Sequence, residues 1–188
     1  MISKQASTLP RRLLRRYGTS DPFELADCLG ITILECHDFK LQKGAFKVIL
    51  NNCFIFINAN LSTEMKKLVC AHELGHALLH RPLGKTDTGL MEFELFDITN
   101  TTEYEANLFA ANLLLDEEEI DSLAREGFDI VQIAHNLGTN VNLPLLKLQQ
   151  INSDNHLHLP DIINTKQRCG FSLQSLDFLD ANCYTMPQ

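Results

Sequence analysis

The chain has 188 residues, of which 45% are hydrophobic and 21% are charged, so it is long enough for one compact domain with an appendage and too short for two large domains. Its formal net charge of −8 disfavours direct binding of nucleic acid, because that charge repels a phosphate backbone. No apolar run approaches the roughly 18 residues that span a bilayer, and the first residues lack the apolar core of a secretory signal, which predicts a cytoplasmic protein without membrane contact.

Two helices and a small sheet are predicted first. Pro10 is suited to begin a helix that ends at Gly18, and Asp21-Pro22 supplies the cap and first-turn proline of a second helix. Because Asn51-Asn52 tolerates the positive φ of a tight turn, the stretches on either side of it predict a hairpin. The strand-like stretches, which predict a small antiparallel sheet, are residues 31–35, 44–50 and 53–57.

The rest of the chain is predicted to be mainly helical. Apolar residues recur at helical spacing from Ser62 until Pro82, and Thr101 begins another helix with a near-continuous apolar face. Residues 83–100 lie between these two helices. Glycine, threonine and aspartate interrupt any periodicity there, which predicts a long irregular connection. A further helix is expected to begin near Asp116.

Two sets of residues suggest a site but favour a simpler interpretation. Arginines in the first helix alternate with leucines at helical spacing, which favours a solvated helix face over a nucleic-acid patch; they are Arg11, Arg12, Arg15 and Arg16. Six cysteines without a C-x-x-C pair argue against a disulfide framework and a four-thiolate zinc site. Cys70, two residues before His72, is expected in the core.

His72-Glu73-Leu74-Gly75-His76 matches the pattern H-E-x-x-H within the predicted central helix. Side chains four residues apart lie one turn above each other, so His72 and His76 can converge on one metal ion, with Zn²⁺ expected and Mn²⁺ as the alternative. Glu73 lies about 100° around the helix from His72, which suits a general base that takes a proton from the attacking water. The pattern therefore predicts peptide-bond hydrolysis without a covalent intermediate.

A third metal ligand must come from another element. The metzincin pattern needs a glycine and a third histidine where this chain has Leu79 and Pro82. The helix that follows the long connection offers Glu103 and Glu105, and a glutamate completes the two-histidine, one-glutamate set of thermolysin-like enzymes. Glu103 is favoured because its i+4 neighbour, Asn107, is a candidate hydrogen-bond partner for the site. Glu105, about 200° around the helix, is expected to point away, and it remains the alternative.

His80 repeats the i+4 step from His76 at the end of the central helix. It is therefore a candidate hydrogen-bond donor beside the metal ligands, or a stabiliser of the tetrahedral oxyanion. Capping of the helix end is the simpler role for this residue.

Several segments resemble the ImmA/IrrE family of bacterial and phage metallopeptidases. AHELGHALLH at residues 71–80 is followed by EYEANLFAANLLL at residues 103–115, which is similar to the family signature E-x-x-A-N-x-F-A-x-x-L-L-M-P. DPFELADCLGITIL near the start and the strands that end in FIFIN also resemble the family, so the likeness covers about residues 20–150. Leu115-Asp116 replaces the usual Met-Pro, and this departure affects no ligand.

The resemblance implies an α+β, zincin-like metallopeptidase fold with a small antiparallel sheet, a central H-E-x-x-H helix and a helical C-terminal part. It implies that His72, His76 and Glu103 are the metal ligands and that Glu73 is catalytic. It also implies a protein substrate, typically a helix-turn-helix transcriptional repressor that is encoded nearby on a mobile element or in a stress operon.

The predicted metallopeptidase domain comprises residues 1–151, and residues 152–188 predict a loosely attached, polar tail. Residues 129–151 at the end of the domain predict two short helices around Gly138 and resemble a degraded helix-turn-helix. The second of these helices offers mainly leucines with Lys147 as its charged residue, so packing or repressor docking is favoured over DNA contact.

Two other functions compete with proteolysis. The chain could be a non-proteolytic regulator that binds and sequesters a repressor, or a DNA-binding, antitoxin-like protein. The presence of Glu73 favours the peptidase over the first alternative, because a pure binder has no chemical need for that carboxylate. The net charge of −8 disfavours the second.

Overall fold

The structure is a computed structural model that describes residues 4–86, 90–92 and 100–155. It is an α+β fold, as predicted, with one small sheet and helices before and after it. The elements in chain order are α1 (Lys4–Tyr17), α2 (Pro22–Cys28), β1 (Thr32–Cys36), β2 (Gly44–Ile49), β3 (Asn52–Asn58), α3 (Thr63–Leu79), a 3₁₀ turn (Leu83–Lys85), β4 (Leu90–Glu92), α4 (Thr101–Leu114), α5 (Glu117–Arg125), α6 (Ile130–Asn136) and α7 (Asn142–Asn155).

The sheet is mixed, and its strand order is β1-β3-β2-β4. β2 pairs antiparallel with β3 and with β4, but β1 pairs parallel with β3, so the predicted antiparallel arrangement is wrong for β1. The reason is that residues 37–43 carry the chain from β1 past one strand position, and β3 then returns between β1 and β2. A connection across two strand spacings, about 10 Å, is within reach of seven residues.

Asn58 fixes the connection that leads into β2. Its buried amide donates to the carbonyl oxygens of Phe39 at 3.2 Å and Gln42 at 2.9 Å, and its side-chain oxygen accepts from the Asn60 N–H at 2.9 Å. These bonds satisfy loop backbone groups that would otherwise lack a partner. They also set the point at which β2 begins, Gly44.

The β2–β3 turn lies one residue earlier than predicted. Leu50 and Asn51 adopt positive φ of 48° and 66°, and Ile49 pairs with Asn52. This register follows from burial, because it places Phe46 opposite Ile55 on the face that packs into the core. The exposed Leu50 therefore accepts a left-handed conformation that Asn52 was expected to adopt.

Part of the long connection between α3 and α4 is ordered into regular structure. The prediction of an irregular connection at residues 83–100 is wrong for the 3₁₀ turn and for β4, which pairs with residues 44–46 of β2. A three-residue strand carries too little periodicity to be recognised from sequence. Residues 87–89 and 93–99 lie outside the described residues.

Helix α1 begins at Lys4, so the prediction that Pro10 starts it is wrong. Ala6, Pro10 and Leu13 are buried at helical spacing, and α1 packs against α4. Burial of this stripe offsets the cost of an interior proline, about 3 kcal/mol. The arginines lie outside it: Arg12, Arg15 and Arg16 are exposed, and Arg11 forms an ion pair with Glu117.

Helix α3 is the centre of the fold, because every residue from Leu68 to Ala77 is buried. It contacts β2 and β3 on one side and α1, α2 and α4 on others, as a helix buried all round must do. Ser62 defines its start by accepting a hydrogen bond from the Met65 N–H at 3.2 Å. Within the described residues, no helix combines the length and apolar character that a bilayer span requires.

The two helices of the 129–151 segment are present, and α7 packs against both α6 and α4. Leu143, Leu146 and Leu148 are buried, and so is Lys147, which donates to Asn112 Oδ1 at 2.8 Å. The second helix therefore faces the protein interior rather than solvent. Helix α7 continues to Asn155, so the first residues of the predicted tail are helical; the remainder of that tail lies outside the described residues.

Candidate metal centre

Helix α3 places two imidazole rings against each other in the protein interior. His72 and His76 are at most 1% exposed, and their Nε2 atoms are 3.0 Å apart. The rings meet edge to face, with centroids 4.7 Å apart. Four residues is the spacing at which helical side chains lie on one face, so the helix itself produces this convergence.

Helix α4 brings a carboxylate to the same point. Glu103 lies in its first turn, and Oε2 is 3.2 Å from Nε2 of His72 and 3.2 Å from Nε2 of His76. In the described part of the chain, these three side chains form the one group of His, Cys, Asp or Glu residues that gathers its ligand atoms within 4.8 Å. None of the described cysteines belongs to this group.

Gly75 allows α4 to come this close to α3. A Cβ atom at Gly75 would lie 3.1 Å from Ala106 Cα and 3.2 Å from the Ala106 carbonyl oxygen. Both distances are shorter than an ordinary carbon contact of about 3.5–4.0 Å. The glycine inside the H-E-x-x-H motif therefore lets the backbone that carries Glu103 pack directly on the helix that carries the histidines.

The geometry of the three atoms fits a metal ion. A tetrahedral zinc ion with bonds of about 2.0–2.1 Å separates its ligand atoms by roughly 3.3–3.4 Å. The separations here are 3.0 Å and twice 3.2 Å. Two imidazole nitrogens and a carboxylate oxygen are also the donor types that zinc prefers, whereas three such lone pairs repel each other unless a positive charge lies between them.

The electrostatics of the cluster keep His76 and Glu103 in their metal-binding forms. Burial lowers the pKa of His76 to about 4, so the ring is neutral near pH 7 and retains a lone pair. Burial acts to raise the pKa of Glu103, but the contacts with His72 and His76 outweigh it and hold that pKa well below its ordinary value. Glu103 is therefore a carboxylate anion at neutral pH.

Outer hydrogen bonds orient both histidines. Asn107 Oδ1 lies 2.8 Å from His72 Nδ1, and because an amide oxygen only accepts, His72 donates from Nδ1 and leaves its Nε2 lone pair for the cluster. His76 Nδ1 lies 3.1 Å from His80 Nδ1. The candidate outer residues Asn107 and His80 thus each contact one of the two clustered histidines.

Glu73 lies between α3 and the sheet. The side chain is 1% exposed, and Gly44 at the start of β2 packs directly on it. A Cβ atom at Gly44 would lie 2.7 Å from Glu73 Oε1 and 2.6 Å from Val69 Cγ1. The carboxylate is thereby held against the start of β2, and Glu73 directly follows the clustered His72 in the chain.

The remaining sequence-based candidates lie near the cluster without joining it. Glu105, the alternative third ligand, binds His80 instead, with its Oε2 at 2.9 Å from His80 Nε2. Both ring nitrogens of His80 contact groups inside the protein, and His80 is the C-cap of α3, the simpler of the roles considered for it. Cys70 is fully buried, as expected, and burial raises the pKa of its thiol above the ordinary range.

Two glycines that shape the site were not singled out from sequence. Gly75 sets the approach of α4, and Gly44 sets the position of Glu73. A glycine inside a helical pattern, or at the start of a strand, is a signal of close backbone approach. That signal does not identify the partner, which only the tertiary structure supplies.

Most of the chain, including the three clustered side chains, is similar to known proteins. The family model described as the IrrE N-terminal-like domain, a peptidase family, matches residues 26–149. A protein named "Uncharacterized immunity region protein 2" from Bacillus phage phi105 is 34% identical over 137 residues, which cover 73% of this chain and 85% of the phage protein. "Metallopeptidase ImmA" from Bacillus subtilis (strain 168) is 30% identical over 145 residues, which cover 75% of this chain and 82% of that protein.

The family match spans the helix that carries His72, Glu73 and His76 as well as the helix that carries Glu103. The donor types and spacing of the buried cluster are those of a metal centre, and the family and one relative are peptidases by description. The chain therefore belongs to the IrrE N-terminal-like domain family and is a metallopeptidase.

Proposed function

We propose that this metallopeptidase is a zinc-dependent endopeptidase that cleaves a helix-turn-helix transcriptional repressor at one site. The observation that carries the proposal is the cluster of buried His72 and His76 with half-buried Glu103, next to Glu73 in the same helix as the histidines. Two histidines and one glutamate are a set that catalytic zinc uses, and a fourth position is then open for water or substrate. Manganese is the alternative ion, because a site of two histidines and one carboxylate binds several divalent metals. Which of them is bound depends partly on its availability.

The protein groups divide the reaction between them. Bound zinc would polarise the scissile carbonyl and make the attacking water more acidic. Glu73 accepts the proton of that water and later delivers it to the leaving amine, so one carboxylate serves as base and then as acid. Because Glu73 is 1% exposed and held against Gly44, it needs little reorganisation during proton transfer.

Gly44→Ala is expected to lower the rate of peptide cleavage by about 100-fold, because a displacement of about 1 Å of a catalytic group can cost this much. The added methyl group would overlap Glu73 Oε1 and Val69 Cγ1, so the carboxylate must move. Zinc affinity should stay near the wild-type value, since no clustered ligand is touched. Steady-state kinetics and zinc titration measure the two effects.

Ile49→Ala is the matched control, because Ile49 lies at the other end of β2 and is partly exposed. It should leave the cleavage rate unchanged. Wild-type kinetics in Gly44→Ala would show that the close contact with Glu73 has no catalytic importance.

The substrate assignment rests on the family resemblance and on the relatives. A relative is named as an immunity region protein of a phage, and another is named as the metallopeptidase ImmA. A phage is a mobile element, and the family resemblance implies a repressor that is encoded near the peptidase on such an element. A helix-turn-helix protein encoded beside this chain is therefore the substrate to test.

The test is intact-mass analysis of that neighbouring repressor after co-expression with the wild-type chain or with Glu73→Gln. A single pair of fragments, present only with the wild type, is the expected result. Masses that add up to the intact repressor plus one water would identify the cleaved bond.

The competing function gives a different outcome. If the repressor remains intact with both forms and still co-purifies with them, the chain acts by sequestering its partner. If it neither is cleaved nor co-purifies, the repressor is not the partner.

A further inference from the structure

A second carboxylate of α4 reaches the metal cluster indirectly. Glu105 lies two residues after Glu103, about 200° around the helix, and its Oε2 is 2.9 Å from His80 Nε2. His80 Nδ1 in turn is 3.1 Å from His76 Nδ1. The side chains of His80 and Glu105 are 9% and 12% exposed, so solvent competes little for these contacts.

The hydrogen-bonding capacity of each group sets which atom donates and which atom accepts in these two contacts. A carboxylate only accepts, so His80 donates from Nε2 to Glu105. A metal ion on His76 Nε2 would leave the proton of that ring on Nδ1, so His76 Nδ1 is the donor to His80 Nδ1 in the metal-bound protein. The Nε2 atom of His76 is then left for the metal ion, on the side where Nε2 of His72 lies 3.0 Å away and Glu103 Oε2 lies 3.2 Å away.

We infer that Glu105 and His80 are positioning residues that hold His76 in the tautomer and ring orientation needed to bind a metal ion. This inference rests on the proposed metal centre and adds a role for residues outside its ligand set. Asn107 does the same for His72, which it contacts directly. Helix α4 thus supplies one ligand, Glu103, and orients both histidine ligands of α3.

The affinity of the full-length chain for Zn²⁺ tests this role. Removal of an outer hydrogen-bond partner of a metal-binding histidine typically weakens metal affinity about 10- to 100-fold, and Glu105→Ala is expected to fall in that range. Glu105→Gln keeps a side-chain carbonyl that can accept from His80 Nε2, so its affinity should stay within about threefold of wild type. Competition with a chromophoric chelator measures each dissociation constant.

A control and a folding check accompany these variants. Glu119→Ala removes an exposed carboxylate from α5 and should not change zinc affinity. Thermal unfolding of the metal-free proteins shows whether Glu105→Ala remains folded. Glutamine is neutral but keeps the hydrogen-bond acceptor. Wild-type zinc affinity in Glu105→Gln together with weaker affinity in Glu105→Ala would therefore assign the effect to the hydrogen bond and not to the charge.

The tautomers provide a readout that is independent of activity. In the zinc-loaded wild type, long-range proton–nitrogen NMR spectra should show His76 protonated at Nδ1 and His80 protonated at Nε2. Wild-type zinc affinity in folded Glu105→Ala, or His80 protonated only at Nδ1 in the wild type, would overturn the positioning role while the metal centre stands. A wild-type chain that binds no zinc would overturn the metal centre as well.

Discussion

Replacement of Glu73 by glutamine is expected to reduce the rate of peptide-bond cleavage by about 10²- to 10⁴-fold, the usual contribution of a positioned general acid–base group. Glutamine has nearly the shape of glutamate, so it fits the buried space beside Gly44. It cannot accept the proton of the attacking water. Zinc affinity should remain near that of wild type, because Glu73 is not one of the three clustered ligand groups.

Single-turnover kinetics with purified protein, together with zinc titration of the same preparation, separate these two effects. Glu119→Gln is the matched control, since it makes the same chemical change at an exposed position. A Glu73→Gln protein that cleaves at the wild-type rate would show that another group is the base. A protein that loses zinc and activity together would place Glu73 among the ligands.

Replacement of Glu103 by alanine is expected to weaken zinc binding by more than 100-fold, beyond the range typical of an outer partner such as Glu105. The carboxylate supplies the one negative charge of the cluster, and its oxygen lies 3.2 Å from Nε2 of each histidine. Loss of the charge leaves two neutral nitrogens. Cleavage activity should be lost with the metal.

Thermal unfolding gives a second measurement of the same variant. A ligand at 100 times its dissociation constant stabilises the folded state by about 2.7 kcal/mol. For a chain of this size, that corresponds to a rise in Tm of roughly 5–11 °C on zinc addition to wild type. Glu103→Ala should show little rise at the same zinc concentration, whereas an equal rise in both proteins would exclude Glu103 as a ligand.

The H-E-x-x-H part of the site could be predicted from sequence because it is local. His72, Glu73 and His76 belong to one helix, so helical geometry alone places the two imidazoles on one face. Glu103 lies 27 residues after His76. Its approach depends on the packing of α4 against Gly75, which a single sequence suggests only weakly.

The role of Glu105 shows the limit of reasoning from helix geometry. At about 200° from Glu103 it was expected to face away from the metal ligands. That angle is correct for α4 alone, but His80 extends from the end of α3 and meets the carboxylate there. Contacts between two helices depend on their crossing geometry, which periodicity within each helix does not encode.

The fold was predictable where local patterns agreed with tertiary packing. The helix starts at Asp21 and Ser62 and the hairpin were recognised from residue types, and both helices begin as expected. Pro10 was misleading because burial of one α1 face outweighs the cost of the proline. The parallel pairing of β1 was also missed, since strand order depends on non-local contacts.

The most direct test of the metal centre is anomalous diffraction at the zinc absorption edge from crystals of the zinc-loaded wild-type chain. One strong peak is predicted about 2.0–2.2 Å from Nε2 of His72, Nε2 of His76 and a carboxylate oxygen of Glu103. Glu105 should remain hydrogen-bonded to His80 in the same crystals. A peak bound by Glu105 in place of Glu103, or no peak between His72 and His76, would contradict this account.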